Sequence, residues 1–201
     1  ITGMDYLDWS LPSFYVDVDS SGGGGSIVTS DLILHLDAGD SNSYSGSGTT
    51  WTDLSGEGHN GTLTNGPTYT SDNGGAIILD GVNDFINVSA TDVIPSGTNS
   101  FTYSIWVYID TVSGSWGGQK KAANLFTGDT TGTAEFNLFT TTNTAGPPEV
   151  IRLSRYGGGN SGSCEANVSM NNNTWYNITL VKDGASSQKI YQDGVLIGTG
   201  N

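Results

Sequence analysis

The chain has 201 residues, enough for one large domain or one domain with an appendage. Apolar residues make up 35%, and the 30 glycines bring the total back to the range of a chain that buries a core. Charge is scarce and acidic, 20 Asp plus Glu against 6 Lys plus Arg for a formal net charge of −14; this argues against nucleic acid and against docking on an anionic membrane, both of which need a basic face.

In chain order, the first segment is an apolar arm. Tyr6, Leu7, Trp9, Leu11, Phe14 and Tyr15 crowd residues 1–19 with no strand partner nearby. Residues 20–30 are a Gly/Ser-rich spacer, flexible by composition. An apolar arm on a flexible tether reads as an assembly peptide that buries itself on another chain, or equally as the end of an upstream domain. From Asp31 onward there is no helical period, and short alternating runs predict strands. "LILHL" at 32–36 predicts the first. A long polar stretch follows, interrupted by Trp51, Leu54, His59 and Leu63. "AIILD" and "FINVS" flank a tight connection at Gly81-Val82-Asn83. In "FTYSIWVYID" Phe101, Tyr103, Ile105, Val107 and Ile109 share one face at period two, with Trp106 and Tyr108 opposite, so both faces can be covered. "AEFNLFT", "VIRLSRY" and "WYNITLVKDG" follow in the same style, and "KIYQDGVLIG" predicts two strands meeting at Asp193-Gly194, a strong hairpin signal. The expected fold is an all-β antiparallel sandwich with next to no helix.

These runs carry a resemblance. "LILHLDAGDSNSY", "TTWTDLSGEGHNGTLTNGPTY", "GGAIILDGVNDFINV", the aromatic strand "SFTYSIWVYID" and "TWYNITLVKDGASSQKIYQDGVLIGTG" together resemble the laminin-G-like, concanavalin A-like lectin/glucanase jelly-roll modules over residues 31–201. The resemblance implies a two-sheet antiparallel β-sandwich with an extended N-terminal arm. It also implies a further strand pair after Asn201. The variant with "LHLDAGDSNSYSGSGTTWTDLSG" resembles copies found in structural proteins of tailed phages, which implies a virion-surface setting, with a secreted or cell-surface adhesin as the alternative.

Glucanases of this fold resemble one another in a Glu-x-Asp-x-(x)-Glu strand motif that sets two carboxylates on one face. Nothing here matches it: Glu57, Glu135, Glu149 and Glu165 are scattered, and an enzyme is not expected. Cys164 is the single cysteine and His35 and His59 are the only histidines, so a zinc site is not expected either. The resemblance does imply a bound Ca²⁺, for which Asp53, Asp80 and Asp84 are the acidic loop candidates; the competing and stronger reading of each is a turn residue bonding its own backbone. Glycan binding is the family-level expectation. Sugar rings stack on aromatic faces, and Trp116, Tyr156, Tyr44 and Trp51 lie in Gly/Ser-rich surroundings. Trp51 has a competing reading as the buried tryptophan ahead of the "LSG" turn. The Asn-x-Ser/Thr sequences at Asn60, Asn87, Asn167 and Asn177 are given no role in so Asn- and Thr-rich a chain.

Two readings follow. One is an adhesion module whose loops bind a surface glycan; the other is a structural or decorating module anchored to other particle proteins by its arm. The fold hosts both. Neither involves nucleic acid or membrane insertion, and a homo-oligomer is expected.

Overall fold

A computed structural model describes residues 28–80, 82–88, 93, 100–108, 120–127, 134–140, 149–155, 163–168, 171, 173–184 and 187–200. The aromatic arm lies outside them. The described residues are all-β and antiparallel, with one short 3₁₀ turn at Asp72–Gly74 and no α-helix among them. The chain divides into two compact units, residues 1–93 with 103–106, and residues 94–102 with 107–201.

In the first unit, β1 (Thr50–Trp51), β2 (Gly61–Thr64) and β5 (Phe85–Val88) form one sheet in the order β1-β2-β5, and β3 (Thr68–Thr70) pairs with β4 (Ala76–Ile78). Thr62 lies opposite Asn87 and Thr64 opposite Phe85, while farther along Thr68 lies opposite Ile78 and Thr70 opposite Ala76. The two ladders are therefore successive parts of one long antiparallel ribbon closed by the 3₁₀ turn. Between them three residues, 65–67, face six, 79–84, and the longer side stands out as a loop. The inner face of this unit carries the core: Leu34, Leu36, Trp51, Leu63 and Ile77 are each at most 4% exposed.

The segment 32–36 is not a strand, contrary to expectation. Leu34, His35, Leu36, Asp37 and Ala38 are all buried, so the burial does not alternate. Its backbone groups bond to a loop: the His35 carbonyl accepts from Leu54 N–H (2.8 Å), the His35 N–H donates to the Asp53 carboxylate (2.8 Å) and the Asp37 N–H to the Ser43 hydroxyl (3.1 Å). Side chains do here what a neighbouring strand would do.

Two four-stranded sheets follow, and the second unit holds all of their strands except residues 103–106. β7 (Lys120–Thr127), β8 (Ala134–Thr140), β9 (Glu149–Arg155) and β10 (Ser163–Val168) form a meander in the order β10-β9-β8-β7. β6 (Phe101–Tyr108), β11 (Trp175–Asp183), β12 (Ser187–Gln192) and β13 (Val195–Gly200) follow the order β13-β12-β11-β6. β6 is buried on both faces from Tyr103 through Val107, as its sequence predicts. β11 alternates strictly, burying Tyr176, Ile178, Leu180 and Lys182. The lysine fits a buried register because its ammonium donates to the Gly184 carbonyl at 2.7 Å and lies 5.9 Å from the Phe101 ring centroid, so the apolar stem is covered while the charge is bonded. The β12–β13 hairpin turns at Asp193 (φ 50°) and Gly194 (φ 77°), two left-handed residues in succession, which is the geometry Asp-Gly favours. Asp193 also ties the hairpin to β11: its N–H donates to the Asn177 carbonyl and its carboxylate accepts the Asn177 N–H, both at 2.8 Å.

Candidate functional site

The long polar stretch after residue 36 is organised by Asp53. Its carboxylate is only 7% exposed and takes four hydrogen bonds: Oδ1 from the N–H groups of His35 (2.8 Å) and Ser55 (2.9 Å), Oδ2 from the Ser55 hydroxyl (2.6 Å) and His59 N–H (3.0 Å). The Asp53 N–H in turn donates to the Asn60 side chain at 2.9 Å. His59 closes the knot through Nδ1, 2.9 Å from the Ile33 carbonyl. A carbonyl only accepts, so Nδ1 carries the proton. Burial alone would raise the Asp53 carboxyl, but the Ser55 hydroxyl and the three backbone N–H groups outweigh it and hold the group below its ordinary value. His35 moves down as well: burial lowers its imidazole against the opposing pull of Asp37, Asp53 and Asp40.

Trp51 and Tyr44 belong to the core. Trp51 is 0% and Tyr44 4% exposed. The Tyr44 ring meets Trp51 edge-on at 6.3 Å and Tyr69 at 5.5 Å, and its hydroxyl donates to the Gly48 carbonyl at 2.9 Å. Neither ring offers a face to a sugar, which corrects their assignment as stacking residues. Trp116 and Tyr156, the other two aromatic candidates, lie outside the described residues.

Asp80 and Asp84 share the loop that stands out from the ribbon. Asp80 Oδ1 accepts from the N–H groups of Val82 (2.8 Å), Asn83 (3.2 Å) and Asp84 (3.4 Å), and the Asp80 N–H donates to Asp84 Oδ2 at 3.1 Å. The Val82 bond contributes most to holding the Asp80 carboxyl below its ordinary value; slight burial opposes it, and the Asn83 and Asp84 bonds reinforce it. Across the ribbon, Asn65 Nδ2 donates to the Asn83 carbonyl at 2.6 Å. The loop is a braced turn.

The three aspartates do not gather into one acidic cluster among the described residues. Ca²⁺ takes six to eight oxygens, and among the described residues no group of three or more His, Cys, Asp or Glu gathers. Both Asp53 oxygens are taken, and the 79–84 loop is left with one carboxylate oxygen from each of two residues that no hydrogen bond described above engages. Catalytic carboxylates fare no better. Glu135 lies opposite Ser154, Glu149 opposite Val168 and Thr140, and Glu165 opposite Arg152, so no register sets two of them face to face.

What the ribbon does present is an outer face unread in the sequence. Residues directly opposite in a ladder share a face. Thr50, Thr62 and Asn87 form one row across β1, β2 and β5, and Thr64 with Phe85 forms the next. Phe85 is 47% exposed, while Ile86 and Val88 point to the half-buried side. Asn87 lies two residues along the strand, about 7 Å from Phe85. At the loop tip Val82 is 84% exposed, and Ile78 at its foot 40%. One bare aromatic ring is thus bordered by hydroxyls and amides on a rigid ladder. The signal available in sequence was the alternation in "FINV", which sets Phe85 and Asn87 on one side and the two aliphatics on the other.

Residues 80–201, more than half of the chain, match the laminin-G-like family model of the concanavalin A-like lectin/glucanases superfamily. No curated protein and no solved structure matches the chain. The matched span opens on the Asp80–Asp84 turn and runs through the β12–β13 hairpin. The laminin-G-like resemblance and the all-β antiparallel fold thus stand together, and the chain belongs to the concanavalin A-like lectin/glucanase superfamily.

Proposed function

We propose that this protein is a non-enzymatic carbohydrate-engaging module, displayed on the surface of a phage-like particle, that holds sugar on the outer face of the β1-β2-β5 sheet. Membership of a superfamily built on a carbohydrate-binding type of fold supports the class of ligand. The exposure of Phe85, in register with Thr64 and next to the Thr50-Thr62-Asn87 row, is the observation that carries the site. A phenyl ring covers the C–H face of a pyranose, and threonine hydroxyls and an asparagine amide answer its hydroxyls with both donors and acceptors. Laminin-G-like modules are generally non-catalytic, in keeping with the absence of a glucanase carboxylate motif from the sequence.

The particle setting rests on the resemblance of residues 34–56 to phage structural modules, and the aromatic arm is the segment suited to anchoring there, with a homo-oligomer as the expected state. The test is a glycan-array screen of the full chain beside Phe85→Ala. Saturable binding by the parent that the variant loses, with both proteins folded under the assay conditions, supports the reading. Equal binding by both moves the site elsewhere.

A further inference from the structure

We infer that the Phe85 face takes uncharged glycans and holds them without calcium, with Asp80 and Asp84 acting as a fixed negative border in place of metal ligands. The inference rests on the sugar-binding reading above and adds the class of sugar and the mode of binding.

The geometry supplies two arguments. The first concerns what the carboxylates are engaged in. Asp80 Oδ1 serves three N–H groups of its own loop, and Asp84 Oδ2 serves the Asp80 N–H. These bonds hold the turn that carries Asn83, Asp84 and the entry to β5, and they leave one oxygen on each carboxylate, two where calcium takes six to eight. A calcium-dependent lectin loop needs carboxylates free to converge on the ion; these converge on backbone.

The second concerns charge. Asp84 is the residue immediately before Phe85, and Asp80 Oδ1 lies 3.4 Å from its backbone nitrogen. Two carboxylates therefore sit on the loop that leads directly into Phe85. Backbone hydrogen bonds favour the ionised form of Asp80, so this charge persists into mildly acidic solution. No compensating cation is available from the unit itself: no Lys or Arg occurs in the sequence before Lys120, so the whole of residues 1–93 and 103–106 is without one. A sulfated or uronate-rich chain laid across Phe85 meets like charge with no cation of this unit to offset it, whereas a neutral hexose polymer meets the ring, hydroxyls and amides.

The experiment uses the full chain on neutral polysaccharides (dextran, laminarin and galactomannan) and anionic ones (alginate and heparin), each with 2 mM CaCl₂ or with EDTA, at roughly 0.05 and 0.5 M NaCl to span strong and weak screening. The expected result is retention on at least one neutral polymer, unchanged by EDTA and by salt, with anionic polymers bound weakly or not at all at low salt. Asp84→Asn keeps an acceptor for the Asp80 N–H and removes one charge, and should raise the anionic-to-neutral binding ratio by about threefold, the effect of one solvated charge near contact distance. Binding abolished by EDTA, or preference for alginate or heparin at low salt, overturns the inference and leaves the sugar-binding reading in place. Retention on none of the five polymers, with a glycan array equally blank, overturns that reading and the inference with it.

Discussion

Replacing Asp53 tests whether the polar stretch is a folded element or a decorated loop. Asp53→Ala removes four hydrogen bonds and strands three backbone N–H groups, those of His35, Ser55 and His59. The His35 bond is fully buried, and an orphaned buried donor costs about 1–3 kcal/mol. The Ser55 and His59 groups are partly buried and can reach water, so each loses about 0.5–1 kcal/mol. The sum is about 2–5 kcal/mol. Asp53→Asn behaves differently: its oxygen can serve His35 and Ser55 as Oδ1 does, and the Ser55 hydroxyl can turn to accept from the new amide. Only the His59 N–H then faces a donor, for a loss of about 1–2 kcal/mol. Urea unfolding followed by tryptophan fluorescence gives the global values, and amide exchange at His35 and His59 gives the local ones. Acid supplies a second axis. The folded carboxyl is held below its ordinary value, so its stabilisation is complete above the unfolded pKa of about 3.9 and is lost as pH falls through the folded value; Asp53→Asn should show a shallower acid loss. A loss under about 1 kcal/mol for Asp53→Ala, with His35 exchange unchanged, would refute the view of Asp53 as the centre of this segment.

Three further outcomes follow. His35 is held below its ordinary value in the folded state, so the unfolded chain takes up the proton first; stability should decline as pH drops below about 6.5, and His35→Gln should remove that step from the pH profile. Gly39→Ala should destabilise by about 2 kcal/mol or more, because a Cβ there would run into the Gly74 carbonyl, whereas Gly194→Ala meets no atom within 4 Å and should lose only about 1 kcal/mol to its φ of 77°; thermal unfolding of the pair separates the two effects. Phe85→Ala should lower the unfolding free energy by only about 1 kcal/mol, since the ring is nearly half in water, while abolishing sugar retention.

The parts of the fold that could be read in the sequence were those where one residue type repeats with the strand period. β6, β11 and the Asp193-Gly194 hairpin emerged at their predicted places because alternation and turn chemistry agree there. Residues 32–36 looked like a strand from their aliphatics alone, but their hydrogen-bond partners sit some twenty residues on in side chains that no periodicity announces. β2 and β3, written "GTLT" and "TYT", are too short and too rich in threonine and glycine to register as periodic. The site was less legible still. Aromatic residues in polar surroundings suggested ligand contact, yet the surroundings of Trp51 and Tyr44 wrap around them. Phe85 was not among the aromatic candidates, because its exposure depends on which side of the ladder the preceding loop delivers it to.

The lack of any lysine or arginine before Lys120 also decides how this molecule can be handled. Trypsin cuts after basic side chains, so it makes no cut within residues 1–119 and leaves the entire Phe85 face on one long peptide; mapping it by mass requires a protease that cuts at acidic residues. Reagents aimed at lysine side chains likewise attach at residue 120 or beyond. A sensor surface coupled through those amines leaves the Thr50-Thr62-Asn87 row and Phe85 chemically untouched, which makes ordinary amine immobilisation a suitable format for presenting this sheet to sugars.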